Sequence, residues 1–485
     1  MKWNVVRISI VAVTGLPLMA FGCQQIDAQN SISLKPGDDV QAAVASAPEG
    51  AEFHFAPGIY RMQMIKPKNG QKFIGKPGVV LSGAKILDNW KPLGATWAVS
   101  GLPEPLHRSG ECDEGFELCS YREDLFVDGK LFQRVASLSR LAPGKWLAEG
   151  DMVYLRTNPT GRKVEIGLAP YAFAGNAENV TIRNLVIEKY ATEAQHGAID
   201  GSEGKGWQVL DVVARWNHGG GLYPGKDMLV RGGSYSYNGQ IGMVGEGDGA
   251  VIDGVEIAHN NWANYNWGWE AGGTKFWRSD GLTIRNACVH SNNGPGIWTD
   301  IDNINILIEN NTVFGNDGDG IKHEISYKAT IRKNFVTNNG KGKDEWMWGS
   351  QILVQNSSDV EVYENTVEVP AKFGNGIGLI NQERGDGAHG PWVTTKTNVH
   401  DNLIVYLGNR GVTGLVTDVR IEQFNNDHSN FFNRNTYVVT REDQAFWKDM
   451  DGDATWSNLR DSHMEKDGKL IVEQRSPTKV KCGSK

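Results

Sequence analysis

The chain has 485 residues, of which 59 are Gly and 38 are Asn, and 27 of those Asn lie between positions 251 and 435. An apolar fraction of 40% with 22% charged residues excludes wholesale disorder, collagen and coiled coil. A net charge of −8 excludes a nucleic-acid partner, which would require a basic face. Of 16 Trp, eight (Trp262, Trp267, Trp269, Trp277, Trp298, Trp346, Trp348 and Trp392) fall in the same third of the chain as the Asn.

Residues 1–22 read as an export signal: Lys2 and Arg7, then an apolar run from Ile8 to Phe21 too short to span a bilayer. Ala20-Phe21-Gly22-Cys23 resembles a bacterial lipobox, which implies lipidation of Cys23; ordinary cleavage after Ala28 is the alternative. The expected location is therefore periplasmic or cell-surface, with a lipid anchor as the sole membrane attachment. In an oxidising compartment Cys112 and Cys119 are near enough in sequence to form a disulfide. Cys288 and Cys482 are left over, and Cys288 is expected as a small core residue.

Short strand-like segments ending in Asn recur at Asn217, Asn238, Asn260, Asn292, Asn316 and Asn339, with spacings of 21, 22, 32, 24 and 23. A second series passes through Asn311, Asn334, Asn365 and Asn402. None has a helical apolar period, so the repeat predicts a coil of strands stacking in parallel on the next coil. Asn suits the corners for two reasons: it tolerates left-handed backbone, and its amide can pair with the Asn of neighbouring coils. About nine coils are expected between 179 and 418.

Val180-Thr181-Ile182-Arg183-Asn184-Leu185-Val186-Ile187 and Leu282-Thr283-Ile284-Arg285-Asn286-Ala287-Cys288-Val289 resemble the repeat of the right-handed parallel β-helix proteins, the pectin-lyase-like superfamily. The resemblance implies an all-β solenoid with N-terminal and C-terminal caps. In chain order, residues 23–106 become the N-terminal cap and first coils, with one amphipathic helix in Ile32–Val44 and a turn at Pro57-Gly58. Residues 107–178 hold a β-rich side insertion and early coils, 179–420 the helix core with the active face, and 421–485 a C-terminal cap. The resemblance also implies action on carbohydrate, although no complete motif of a particular family is present.

Gly296-Ile297-Trp298-Thr299-Asp300-Ile301-Asp302 aligns with Gly320-Ile321-Lys322-His323-Glu324-Ile325-Ser326 one coil on. With Ile297, Ile301, Ile321 and Ile325 inward, the strand period sends Trp298, Asp300, Asp302, Lys322 and Glu324 outward and His323 inward. Asp300 then neighbours Glu324 at about 4.8 Å and lies about 6.6 Å from Asp302, so both the retaining and the inverting carboxylate spacings are available. Asp300, Asp302, Glu324, Lys322 and His323 are the catalytic candidates. Crowded acids are expected to raise one carboxyl pKa, with Lys322 opposing. Insertions after Asn260 and Asn339 supply candidate sugar-binding residues: Trp267, Trp269, Glu270, Lys275, Trp277, Trp346 and Trp348, with Trp298 beside them. A third insertion carries Arg384, His389 and Trp392.

The expectation is a monomeric, exported polysaccharide-degrading glycoside hydrolase that requires no cofactor, although the acids could hold Ca²⁺. A lyase or C5-epimerase of uronic-acid polymers, using Lys275, Arg278, Lys322 or His323, and a non-catalytic glycan-binding surface protein are the alternatives.

Overall fold

The computed structural model describes residues 31–342, 345–419, 429–450, 452–461 and 464–482. Cys23 and the export signal lie outside them. Three long sheets run the length of the molecule, two of 13 strands and one of 12. One coil contributes Thr283–Arg285 to sheet I, Cys288–His290 to sheet II and Ile297–Asp300 to sheet III before the next begins at Ile306. Neighbouring coils pair in parallel, as in Ile284↔Ile308, Val289↔Val313 and Ile297↔Ile321. Each short strand turns alternate residues into one continuous core of stacked Ile, Val and Leu. Among the described residues no helix is long and apolar enough to cross a membrane.

The asparagines form two internal ladders. Asn217 Nδ2 donates to Asn238 Oδ1 at 3.1 Å, and the pattern repeats through Asn260, Asn292 and Asn316 to Asn339. The second ladder climbs from Asn311 through Asn334, Asn365 and Asn402 to Asn435, where Glu465 accepts the last amide at 2.6 Å. The left-handed residue is not the ladder Asn. It is the residue before it: Trp216, Tyr237, His259, Ser291, Asn310 and Lys333 all have φ between 54° and 57°. Hydrogen bonding between coils is therefore what requires Asn at these positions, because the backbone strain falls one residue earlier.

Two boundaries and one cysteine differ from expectation. The side sheet begins at Ala84, ahead of 107, because Ala84–Ile86, Lys91–Leu93 and Thr96–Ser100 join its eight strands. Coil pairing continues past 420 to Lys469–Val472, and the last turn is closed by the helix Trp456–Asp461 and by Trp447. Cys288 is not a core thiol. It alternates outward beside inward-facing Val289 and forms a disulfide with Cys482, while Cys112 bonds Cys119 as expected. The tail after Val472 runs back along sheet II, where Thr478 N–H donates to Glu368, a side chain of the Thr366–Val369 strand.

At the N-terminal end Asp39 caps the helix Val40–Ser46 through Ala42 N–H, and Val40 and Val44 cover the first coil. This closes a core that would otherwise end on open strand edges.

Candidate active site

Sheet III forms the floor of the candidate site. One wall rises from the segments that precede its strands and carries the helix Trp267–Glu270 and the loop bearing Trp346 and Trp348; the other follows the strands and carries Arg384 to Trp392. In the floor, Trp298 pairs with Lys322 and Asp300 with Glu324 across one coil step. Phe276 pairs with Thr299, which sets Lys275 beside Trp298 in the same row.

These side chains form one buried charged cluster. Lys275 Nζ lies 2.8 Å from Asp300 Oδ2 and 3.0 Å from Glu270 Oε1. Lys322 Nζ lies 2.5 Å from Glu324 Oε2, and Arg384 reaches across from the far wall to Glu324 Oε1 at 2.9 Å. Trp298 is held between the two lysines, whose ammonium groups stand 4.1 and 4.7 Å from its ring centroid. Its indole N–H donates to Glu324 Oε2 at 3.2 Å. Asp300 Oδ1 is buried and has no hydrogen-bond partner.

The two carboxyls are driven apart electrostatically. Burial raises Asp300 to about 6, and the neighbouring charge of Glu324 adds to the rise. Burial also opposes charge on Glu324, but Lys322 and then Arg384 outweigh it and hold that carboxyl below the usual glutamate range. Burial, more than crowding, is thus what raises an acid here. A further acid escaped the sequence reading: Asp319, buried just before the Ile321–Glu324 strand, is pushed up to about 6 by burial and accepts from Ser350 N–H at 2.9 Å. Its charge, like that of Glu324, favours the ammonium form of Lys322 against the effect of burial. The Gly318-Asp319-Gly320 tripeptide was the available signal.

Asp302 does not share this cluster. The strand ends at Asp300, and Ile301 and Asp302 both turn left-handed, at φ 59° and 58°. Ile301 therefore leaves the inward row, and Asp302 Oδ1 accepts from Ala388 N–H at 2.9 Å and Trp392 Nε1 at 3.1 Å. It anchors the third insertion. His323 faces the core: Nδ1 is 2.8 Å from Thr299 Oγ1 and Nε2 is 2.8 Å from the Tyr327 carbonyl. Burial pushes it down to about 4, so at neutral pH it is an uncharged ring bonded at both nitrogens and cannot serve as a base at the outer face.

The aromatic candidates divide. Trp267 and Trp269 pack with Tyr265, Ala271 and Cys119, which fixes the short helix that presents Glu270. Its start is capped by Asn266 Oδ1, which accepts from Gly268 N–H, and Glu270 is also bonded by Gln195 Nε2. Trp346 and Trp348 pack on Met347, Leu353 and Val416, with the Trp348 ring 5.4 Å from Lys322 Nζ. Trp277 stands one coil from Asp300, half-buried, its Nε1 donating to Glu246 at 3.2 Å.

Asp300 and Glu324 are engaged by lysine and arginine, whereas Asp302 is bonded by Ala388 N–H and Trp392 Nε1. Among the described residues the His, Cys and acid group close enough for a metal is Cys288, His290 and Cys482, whose two sulfurs are joined to each other. A cavity of about 480 Å³ lies elsewhere, around Tyr121, Arg134 and His218. There His218 is tied by Nδ1 to Asp124 at 2.9 Å and by Nε2 to the Cys119 carbonyl at 2.8 Å, which leaves it no free edge for chemistry.

The sequence matches the family model of the right-handed β-helix region over residues 173–367. No curated protein matches it. Among solved structures the chain is similar to XylC in complex with xylose, with a TM-score of 0.69 and 14% identity, covering 91% of this chain and 86% of that one. It is also similar to the A-module of the Azotobacter vinelandii mannuronan C-5 epimerase AlgE4 (TM-score 0.46, 12% identity, 82% and 87% covered). A mannuronic-acid-specific family 6 polysaccharide lyase from human gut microbiota gives a TM-score of 0.43 at 10% identity, with 91% of each chain covered. The fold is the right-handed parallel β-helix.

Proposed function

We propose that the protein is an exported glycoside hydrolase in which Asp300 and Glu324 act as the carboxyl pair on a polysaccharide or oligosaccharide. The observation that carries this reading is the pairing of a raised, partly unsatisfied acid with a charge-stabilised one on adjacent coils. A glycosidase needs one carboxyl protonated for the leaving oxygen and one ionised, and environment is what separates their roles. With Asp300 raised to about 6, its protonated form is populated at mildly acidic pH, where Glu324 keeps its charge. With Asp302 committed to the third insertion, the pair that remains has the one-coil separation of about 4.8 Å that suits retention through a covalent glycosyl intermediate.

Elimination or epimerisation requires a free cation for the sugar carboxylate and a base for the C5 proton. Lys275 is ion-paired with Glu270, Lys322 and Arg384 are ion-paired with Glu324, and His323 is in the core, so these reactions find less support. The two disulfides support an oxidising compartment and hence the export reading.

The test is turnover of a panel of polysaccharides and aryl glycosides by the wild type, Asp300→Asn and Glu324→Gln. Each substitution should cost at least ~10³-fold in kcat without loss of fold, and the first-formed sugar should keep its anomeric configuration by NMR. Azide added to each variant identifies the attacking group, since only the nucleophile-deficient protein yields an azide of inverted configuration. Unsaturated, ultraviolet-absorbing products, or turnover that survives loss of both carboxyls, would sink the reading.

A further inference from the structure

The face of sheet III that carries Asp300 continues towards the N-terminus with side chains that bond to one another above the core. Asp200 closes the strand Gly197–Asp200 and stands in register beside Tyr223. Ser202 fixes its Oδ1 through N–H at 3.1 Å and hydroxyl at 2.6 Å, and His196 Nδ1 lies 2.8 Å from its Oδ2. An acid at Nδ1 orients the ring and directs the other nitrogen outward, and the His196 side chain is 55% exposed.

Tyr223 lies across the next coil because that coil offers bare backbone: a Cβ on Gly245, at φ +130°, would fall 2.3 Å from the Tyr223 ring. Trp277 meets Tyr223 at right angles with centroids 6.0 Å apart. Since Trp277 follows Phe276, the partner of Thr299, it is the register neighbour of Asp300. By register Asp200 and Tyr223 share the row of Val244, Lys275 and Trp298, two residues along the strands from Trp277 and Asp300, and the Tyr223 ring leans over Gly245 to bridge the two. The His196–Asp200 pair, Tyr223, Trp277 and Asp300 thus form a diagonal row of side chains spanning four coil steps or about 19 Å. The rings on the corner of sheet II are arranged differently. Trp216, Tyr237 and His259 stack face on face at 5.0 and 4.7 Å and so hide the surfaces a sugar would use.

We propose that this row is an extended binding track for the glycan whose scissile bond sits at Asp300 and Glu324, with Trp277 and Tyr223 as platforms and His196 donating to a sugar hydroxyl at the far end. The location of the scissile bond rests on the hydrolase reading; the binding does not. The charged groups of the track pair with each other, His196 with Asp200 and Arg278 with Glu246 at 3.7 Å, so the track suits an uncharged glycan chain in preference to a polyuronate.

The test uses three hexasaccharides, β-1,4-xylohexaose, cellohexaose and hexamannuronate, each beside its disaccharide. Calorimetry on Glu324→Gln protein should show a neutral hexasaccharide binding at least ~10-fold tighter than its disaccharide. Adding His196→Ala or Tyr223→Ala to that protein should abolish the difference. In the otherwise wild-type enzyme the same two substitutions should raise the ratio of hexasaccharide KM to disaccharide KM by about tenfold. His196→Ala removes an exposed ring and carries the test if Tyr223→Ala fails to fold. Equal binding of long and short sugars, no binding of any probe, an unchanged ratio in His196→Ala, or hexamannuronate as the tightest ligand would overturn the track. Length-dependent binding without hydrolysis of any probe would overturn the hydrolase reading and leave the track standing.

Discussion

Two ammonium groups flank one indole at the floor of the site, and the way they divide the carboxylates decides which acid is the more readily protonated. Lys275 serves Asp300 and Glu270, while Lys322 serves Glu324. Because Asp300 is raised to about 6, its protonated form declines as pH climbs through that value, so kcat/KM is expected to fall above about 6. The same shift acts on stability. An acid raised in the folded state favours folding most below the ordinary aspartate range and gives that up as pH rises from about 4 towards 6. Removing Lys322 as Lys322→Met leaves Glu324 with Arg384 and Trp298, so the acidic limb of the pH–rate profile should move to higher pH. Breaking this buried pair should also cost about 3–5 kcal/mol in denaturant unfolding. The outward row of Trp298, Asp300, Lys322 and Glu324 was legible from alternation alone. Asp302 was not, because two consecutive left-handed residues end the alternation and nothing in the period announces a change of φ.

At the scale of single elements, the ladders make each corner depend on its neighbours. Asn292 Nδ2 donates to Asn316 and to the Ile257 carbonyl, and its Oδ1 accepts from Asn260. Asn292→Ala leaves several buried partners unmatched and should cost about 2–3 kcal/mol in chemical unfolding, whereas an exposed Asn such as Asn176 should cost well under 1 kcal/mol. Spacing in the sequence revealed these ladders, since hydrogen bonding between coils requires the same residue once per turn. The sequence-level account of the corners was half right. The amide pairing is real, but the left-handed residue precedes the Asn and is often aromatic, as at Trp216 and Tyr237, so composition could not mark it. The wall insertions begin directly after Asn260 and Asn339, where a ladder rung clamps the base of each loop. Their existence was readable from a lengthened period, but not that Trp267 and Trp269 would turn to pack against the Cys112–Cys119 segment.

On the scale of the whole molecule the fold was readable from periodicity, and its C-terminal extent was not. The coils after 420 lack the regular Asn spacing, and only pairing shows that they continue to Val472. The Cys288–Cys482 bond was hidden for a similar reason: its partners are 194 residues apart, and only stacking brings them together. From the Lys469–Val472 strand back to Cys288 is six coil steps, about 29 Å, and the ten residues 473–482 can extend about 33 Å. The tail is therefore a nearly taut strap along sheet II. Cys482→Ala should lower stability by up to about 5 kcal/mol on the chain-entropy account, read as a fall in the thermal midpoint, with reductant lowering the wild type further than the variant, which keeps only Cys112–Cys119 to open. The strap also sets how the molecule bears a mechanical load. Traction applied beyond Cys482 passes through the sulfur bridge straight to Cys288 and bypasses every coil between them. In single-molecule pulling, that stretch of chain should stay as hidden length until a reductant opens the bridge, and only then should the coils that follow Cys288 peel away.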